Sequence, residues 1–130
     1  MKLRPIGTVR SPLADLDAAP KQAHEGAPEA WLEFDPGLLD ALDGLQIGDE
    51  VIVLTWLDRA DREILRVHPR SDPGTPMRGV FSTRSPARPN PIGLHELRIL
   101  EIDGPRVRVS ALEAIDGTPV IDVKPKLKPV

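Results

Sequence analysis

The chain has 130 residues, no cysteine, no tyrosine and a formal charge of −3, which bounds it to one domain around one core and removes disulfide and thiolate chemistry. Apolar residues make up 40% of it, more than a disordered segment carries, and no apolar run reaches the roughly 18 residues of a membrane span. His24, His68 and His95 show neither H-x-x-H nor H-E-x-x-H spacing, so no metal site is expected and each reads as an ordinary surface or loop histidine. The opening MKLRPIGTVRSP lacks the apolar stretch of a signal peptide, and with the absent cysteines this leads us to expect a cytoplasmic protein.

In chain order, Leu3–Val9 alternates loosely and predicts a first strand, which Ser11-Pro12 ends. Residues 15–28 are polar, with Pro20 and Pro28, and read as a loop. Ala30–Phe34 (AWLEF) predicts a short strand. In DPGLLDALDGL, residues 35–45, Asp35 caps a helix of two to three turns, Pro36 suits its first turn, and Gly44 stops it. Glu50–Leu57 (EVIVLTWL) is apolar and β-branched and predicts a buried central strand. Glu63–His68 alternates as a strand does, residues 69–77 are turn-rich, and Gly79–Ser82 predicts a brief strand. Leu94–Ile102 and Arg106–Ile115 flank Asp103-Gly104 and predict a β-hairpin. Asp116-Gly117 makes another turn before TPVIDV, and Pro125 and Pro129 leave an extended tail. Six or more short strands with one helix predict a mainly-β fold, a single compact closed or partly open β-barrel spanning 1–130.

Charge divides the chain. Between Leu13 and Asp58 stand eleven acids and one base; between Arg59 and Arg98 stand eight arginines and four acids. The plain reading is a solvated surface of uneven charge. The alternative is a cationic face for phosphate, favoured because all eight central bases are arginine, whose planar fork suits phosphate or carboxylate.

Within that middle lies FSTRSPARPNPIGL, residues 81–94. Pro86, Pro89 and Pro91 fix their own φ and bias Ser85, Arg88 and Asn90 toward extended backbone. Missing N–H groups keep this segment out of a central strand. Its side chains therefore project from a pre-ordered backbone, as a ligand-facing loop requires. The plain reading is a rigid surface turn whose prolines only lower unfolded-state entropy.

The stretch STRSPARPNPIGL, residues 82–94, resembles the hallmark loop of the TrmO family of methyltransferases, also called TsaA-like, YaeB or VirR. DGTPVIDVKP at 116–125, the early I-G-x-V-x-S-P from Ile6 to Pro12, and the P-x-Q element at Pro20-Lys21-Gln22 are similar to three further family features, in the same order. The resemblance covers nearly the whole chain. It implies a compact TsaA-like β-barrel that binds S-adenosylmethionine (AdoMet), and no G-x-G-x-x-G fingerprint of a Rossmann methyltransferase is present. It further implies N6-methylation of the threonylcarbamoyl-adenosine at tRNA position 37, a tRNA partner and a homodimer. The alternatives are a methyltransferase acting on a small nucleotide or metabolite, and a non-catalytic AdoMet-binding module.

Carried over by position, the resemblance implies cofactor binding by Pro20, Lys21 and Gln22, by Leu57, Asp58 and Arg59, by Arg84 and Leu94, and by Asp116, Gly117, Thr118 and Pro119. The bidentate fork of Arg84 suits the cofactor carboxylate. Asn90, with Arg88, is expected to face the methyl acceptor, the Asn90 amide oxygen accepting from the amine as positive charge grows; the alternative for Asn90 is a turn-stabilising contact. The chain departs from the family where His95 stands for a serine, where Val123 and Lys126 stand for isoleucine and tyrosine, and where Asp58 stands for a frequent histidine. Longer members carry a C-terminal domain, whereas the present sequence ends at Val130.

Overall fold

The computed structural model describes residues 1–14 and 26–128. Most of the predicted loop at 15–28, including Pro20, Lys21, Gln22 and His24, and Pro129 of the tail, lie outside the described residues. Among the described residues eight strands form: β1 (Gly7–Arg10), β2 (Ala30–Phe34), β3 (Glu50–Trp56), β4 (Arg66–Val67), β5 (Arg78–Gly79), β6 (Ile92–Asp103), β7 (Arg106–Val109) and β8 (Pro119–Pro125). Six of them close a barrel in the order β1-β2-β7-β6-β3-β8, and β8 pairs back onto β1. All the barrel pairings are antiparallel. The fold is mainly β and not Rossmann-like, as expected.

Alternation builds the barrel core. Along β2, Ala30, Leu32 and Phe34 are buried while Trp31 and Glu33 are partly exposed. Val9, Val51, Val53, Leu97, Ile99, Val107, Val109 and Val120 complete the same cluster from the other strands, and Leu112 and Ala114 join it from the segment after β7. In a six-stranded barrel such side chains fill the lumen. β3 is central, as predicted, lying between β6 and β8, but it is buried on one face only. Val51, Val53 and Thr55 point into the core, whereas Ile52, Leu54 and Trp56 are half-buried on the outer side.

β6 is long enough to serve two partners. Its first part, Ile92–Arg98, pairs with β3, and Ile99–Asp103 pairs with β7. A register shift between Ile99 and Glu101 marks the corner, where an extra residue bends the strand. The hairpin turn runs through Gly104 at φ +57°.

Pro36–Leu42 is a 3-10 helix of seven residues. Asp35 Oδ1 accepts from Gly37 N at 2.9 Å, as its capping role predicts. Leu42 and Leu45 pack against the core while Leu39 stays exposed. Among the described residues no helix is long and apolar enough to cross a membrane.

Several predicted strands are shorter or absent, among them the second hairpin arm, expected to run to Ile115, which ends as β7 at Val109. β1 begins only at Gly7, because Pro5 has no N–H for a ladder. Of Glu63–His68 only Arg66–Val67 pairs, with Arg78–Gly79. The preceding turn is taken by Asp61, whose Oδ1 accepts from Glu63 N at 2.7 Å. Val80–Ser82 is a 3-10 turn rather than a strand. The Val80 carbonyl accepts from Thr83 N, Thr83 Oγ1 and Arg88 Nη2, at 3.0, 3.0 and 2.8 Å, so the chain wraps around it.

Candidate functional site

A cavity of about 670 Å³ opens where β3 ends and β6 begins. Its walls are the turn after β3 (Leu57, Asp58, Arg59, Ala60, Asp61), the proline loop (Arg84–Arg88), the start of β6 (Ile92–His95) and the segment carrying Glu113, Ala114, Ile115 and Thr118, with Leu54 from β3. This size and mixture of apolar wall with a few charged groups suit a small-molecule ligand.

The proline loop is braced from inside by Arg88. Its Nε donates to Ser85 O at 2.8 Å, and its Nη2 donates to Val80 O at 2.8 Å and Thr83 O at 2.6 Å. Its backbone N donates to Asp61 O at 3.1 Å, tying the loop to the turn after β3. Hydroxyls add local closures, Ser85 N to Thr83 Oγ1 and Ala87 N to Ser85 Oγ. The prolines restrict the backbone, and one guanidinium then selects a single arrangement of it.

Held this way, Arg84 faces the cavity, is exposed, and makes no hydrogen bond or ion pair with any described residue. Arg59 also lines the cavity; its Nη1 reaches Ala14 O at 3.5 Å. Asp58 is exposed beside it. The cavity therefore presents two cationic forks, a solvent-facing carboxylate and an apolar wall.

Six residues proposed from the sequence for cofactor binding converge on this wall: Leu57, Asp58, Arg59, Arg84, Leu94 and Thr118, together with Arg88 of the acceptor pair. Asp116, Gly117 and Pro119 do not line it. Their turn closes next to it: Asp116 Oδ1 accepts from Ser11 N, Asp116 N donates to Leu13 O, and Gly117 N donates to Val9 O with Gly117 at φ +87°. Thr118 is buried, its hydroxyl donating to Ile115 O at 2.7 Å. Asn90 is exposed and outside the cavity wall. Its amide oxygen accepts from Arg62 Nη2 at 3.3 Å, while Arg62 Nε donates to Pro89 O at 2.8 Å and its guanidinium lies 5.2 Å from the Trp56 ring centroid.

Sequence reasoning passed over Glu113 and His95. His95 is not an ordinary surface or loop histidine. It is 4% exposed, because β6 turns it inward beside Val53. Its Nε2 meets Thr55 Oγ1 at 2.8 Å and its Nδ1 meets Glu113 Oε1 at 2.7 Å. His68 does sit in a loop, its Nδ1 donating to Thr75 O at 2.8 Å. The pointer to Glu113 was its place three residues before the DGTPV signature, and the pointer to His95 was its replacement of the family serine.

The tRNA-methyltransferase O N-terminal domain family matches residues 8–130. A probable S-adenosyl-L-methionine-binding protein of Methanothermobacter thermautotrophicus is 47% identical over 125 residues, spanning 96% of this chain and 89% of that protein. An S-adenosyl-L-methionine-binding protein of Archaeoglobus fulgidus is 44% identical over 124 residues, spanning 95% and 88%. A crystal structure of TrmO has a TM-score of 0.77 at 33% identity and covers 98% of this chain and 57% of that one. TrmO from Pseudomonas aeruginosa gives 0.75 at 29% identity, covering 98% and 56%. The chain thus spans a little over half the length of these solved TrmO chains. Matched over nearly all its length by sequence and by fold, the chain belongs to the tRNA-methyltransferase O N-terminal domain family.

Proposed function

We propose that the chain binds AdoMet in the cavity beside the proline loop and methylates N6 of the threonylcarbamoyl-adenosine at tRNA position 37. The observation that carries this reading is Arg84, a guanidinium with no partner among the described residues, held by a rigid loop over a cavity of about 670 Å³ in a chain whose near relatives are named as AdoMet-binding proteins. The donor set fits the cofactor. Arg84 and Arg59 suit its carboxylate, Leu57 and Leu94 give apolar surface for its adenine, and Asp58 suits hydroxyls or a cation. The Asp116–Pro119 turn supports the same wall, and Pro20, Lys21 and Gln22 belong to this reading by family position.

When bound, AdoMet supplies a methyl group activated on a sulfonium. The protein's task is then to orient a weakly nucleophilic amine and to accept its hydrogen bonds. Asn90 is the proposed acceptor group: its amide oxygen is exposed and carries one long bond from Arg62, which an incoming amine can replace. Arg88 contributes by fixing the loop that carries both Arg84 and Asn90. A tRNA substrate implies a cytoplasmic site of action. It also calls for basic surface, which the central arginines provide, doubled if the chain forms a homodimer.

Mass spectrometry of tRNA nucleosides from a deletion strain tests the reading. Loss of methylated threonylcarbamoyl-adenosine is expected; an unchanged profile would reject the tRNA acceptor. Asn90→Ala should lower turnover by about 100-fold or more with AdoMet affinity nearly unchanged. A collapse of AdoMet affinity in that variant would reject the acceptor role.

A further inference from the structure

At the floor of the cavity a carboxylate, an imidazole and a hydroxyl form one hydrogen-bonded chain, Glu113–His95–Thr55, with contacts of 2.7 and 2.8 Å. Thr55 is 0% exposed, so its hydroxyl is no nucleophile for a ligand. The chain instead ends at the cavity through Glu113, whose side chain is 15% exposed and lines the wall with His95. An ionised carboxylate only accepts hydrogen bonds, so His95 Nδ1 carries the proton toward Glu113 whether or not Nε2 is also protonated. Oε1 is thereby committed, while Oε2 has no hydrogen bond to any described residue.

We propose that Glu113, aimed by His95, holds the positive charge of the cofactor, and that His95 is a positioning residue for it. This rests on the AdoMet reading above. Three observations lead here. First, of the cavity acids, Asp58 and Asp61 are both exposed, where attraction is screened by water and salt. Glu113 is the carboxylate withdrawn from solvent, where a charge acts most strongly. Second, β6 has been kept open for this arrangement. Gly93 pairs with Thr55 across the strands, and a Cβ on Gly93 would fall on Thr55 Oγ1 and lie 2.7 Å from His95 Nε2. Third, the cationic forks of Arg84 and Arg59 border the same cavity. A ligand carrying both carboxylate and cation therefore finds a partner for each.

Isothermal titration of the full chain with AdoMet, S-adenosylhomocysteine and 5′-methylthioadenosine tests the proposal. Glu113→Gln keeps the shape and removes the charge. It should weaken AdoMet by about tenfold or more and 5′-methylthioadenosine, which carries no charge on its thioether side, by less than about twofold. If S-adenosylhomocysteine weakens equally, the charge held is the ammonium; if it is spared, the charge is the sulfonium. Unchanged AdoMet affinity, or equal loss for all three ligands, would overturn the proposal while leaving the cofactor reading in place. No AdoMet binding by the wild-type chain would overturn both.

For His95, His95→Asn keeps a side-chain N–H near the Nδ1 position and should retain most of the AdoMet affinity, whereas His95→Leu should lose as much as Glu113→Gln. Adding His95→Leu to Glu113→Gln should then cost little more, because the two act through one contact. Nitrogen NMR of the wild-type imidazole should show a protonated Nδ1. Additive losses, or an unprotonated Nδ1, would show that His95 does no more than fill the core.

Discussion

Arg88 offers the sharpest test of how the proline loop is held. Its guanidinium makes three charge-assisted bonds to backbone carbonyls, at 2.8, 2.8 and 2.6 Å. Each would contribute up to about 2 kcal/mol if dry, but the side chain is only part-buried and water competes for the carbonyls, so about 1 kcal/mol per bond is the better figure. Replacing Arg88 with methionine keeps the stem and removes all three, and should destabilise the loop by about 3 kcal/mol. Arg88→Lys keeps the charge but cannot span three acceptors, and should lose about 2 kcal/mol. Urea unfolding reports the global part. Amide exchange at Ala87 and Arg88, whose N–H groups bond Ser85 Oγ and Asp61 O, reports local opening. In the Arg88→Met variant, the amides at these two positions should exchange about 100-fold faster even if the barrel melts unchanged. Wild-type exchange and wild-type urea midpoint together would show that the prolines alone order the loop, and the argument from Arg88 would fail.

Other outcomes follow from particular contacts. Arg84→Ala should leave the free energy of urea unfolding within about 0.5 kcal/mol of wild type, since the side chain bonds no described residue, yet weaken AdoMet by about tenfold to 100-fold in titration. Gly93→Ala should destabilise by about 2–4 kcal/mol in chemical denaturation, because its Cβ would displace the Thr55–His95 hydrogen bond. Asp35→Ala removes the bond to Gly37 N and should cost about 1 kcal/mol by the same measurement, with no effect on ligand binding.

The barrel was readable where local pattern and burial agree. The short strand expected at Ala30–Phe34 is β2 with its observed ends, and the Asp103-Gly104 hairpin followed from two apolar runs about one turn, its second arm ending early at Val109. Between Glu63 and Ser82 the pattern misled, because side chains there claim backbone groups that a strand would pair. Arg88 claims the Val80 carbonyl from eight residues away, and Asp61 claims the Glu63 amide. At the site, Leu57, Asp58, Arg59, Arg84, Leu94 and Thr118 were legible through motifs. The Glu113–His95–Thr55 chain was not, since its members meet only when β3 and β6 take the register that sets Thr55 opposite Gly93.

That register carries a consequence for how this cavity floor can change over generations. Thr55, Gly93 and His95 behave as one inherited unit. A side chain at 93 meets Thr55 Oγ1 first and the imidazole of His95 second, so threonine at 55 demands glycine at 93 even where a small residue stands at 95. Substitution at 95 alone therefore does not release position 93. Among family members, glycine at 93 should persist wherever threonine stands at 55, whichever residue stands at 95.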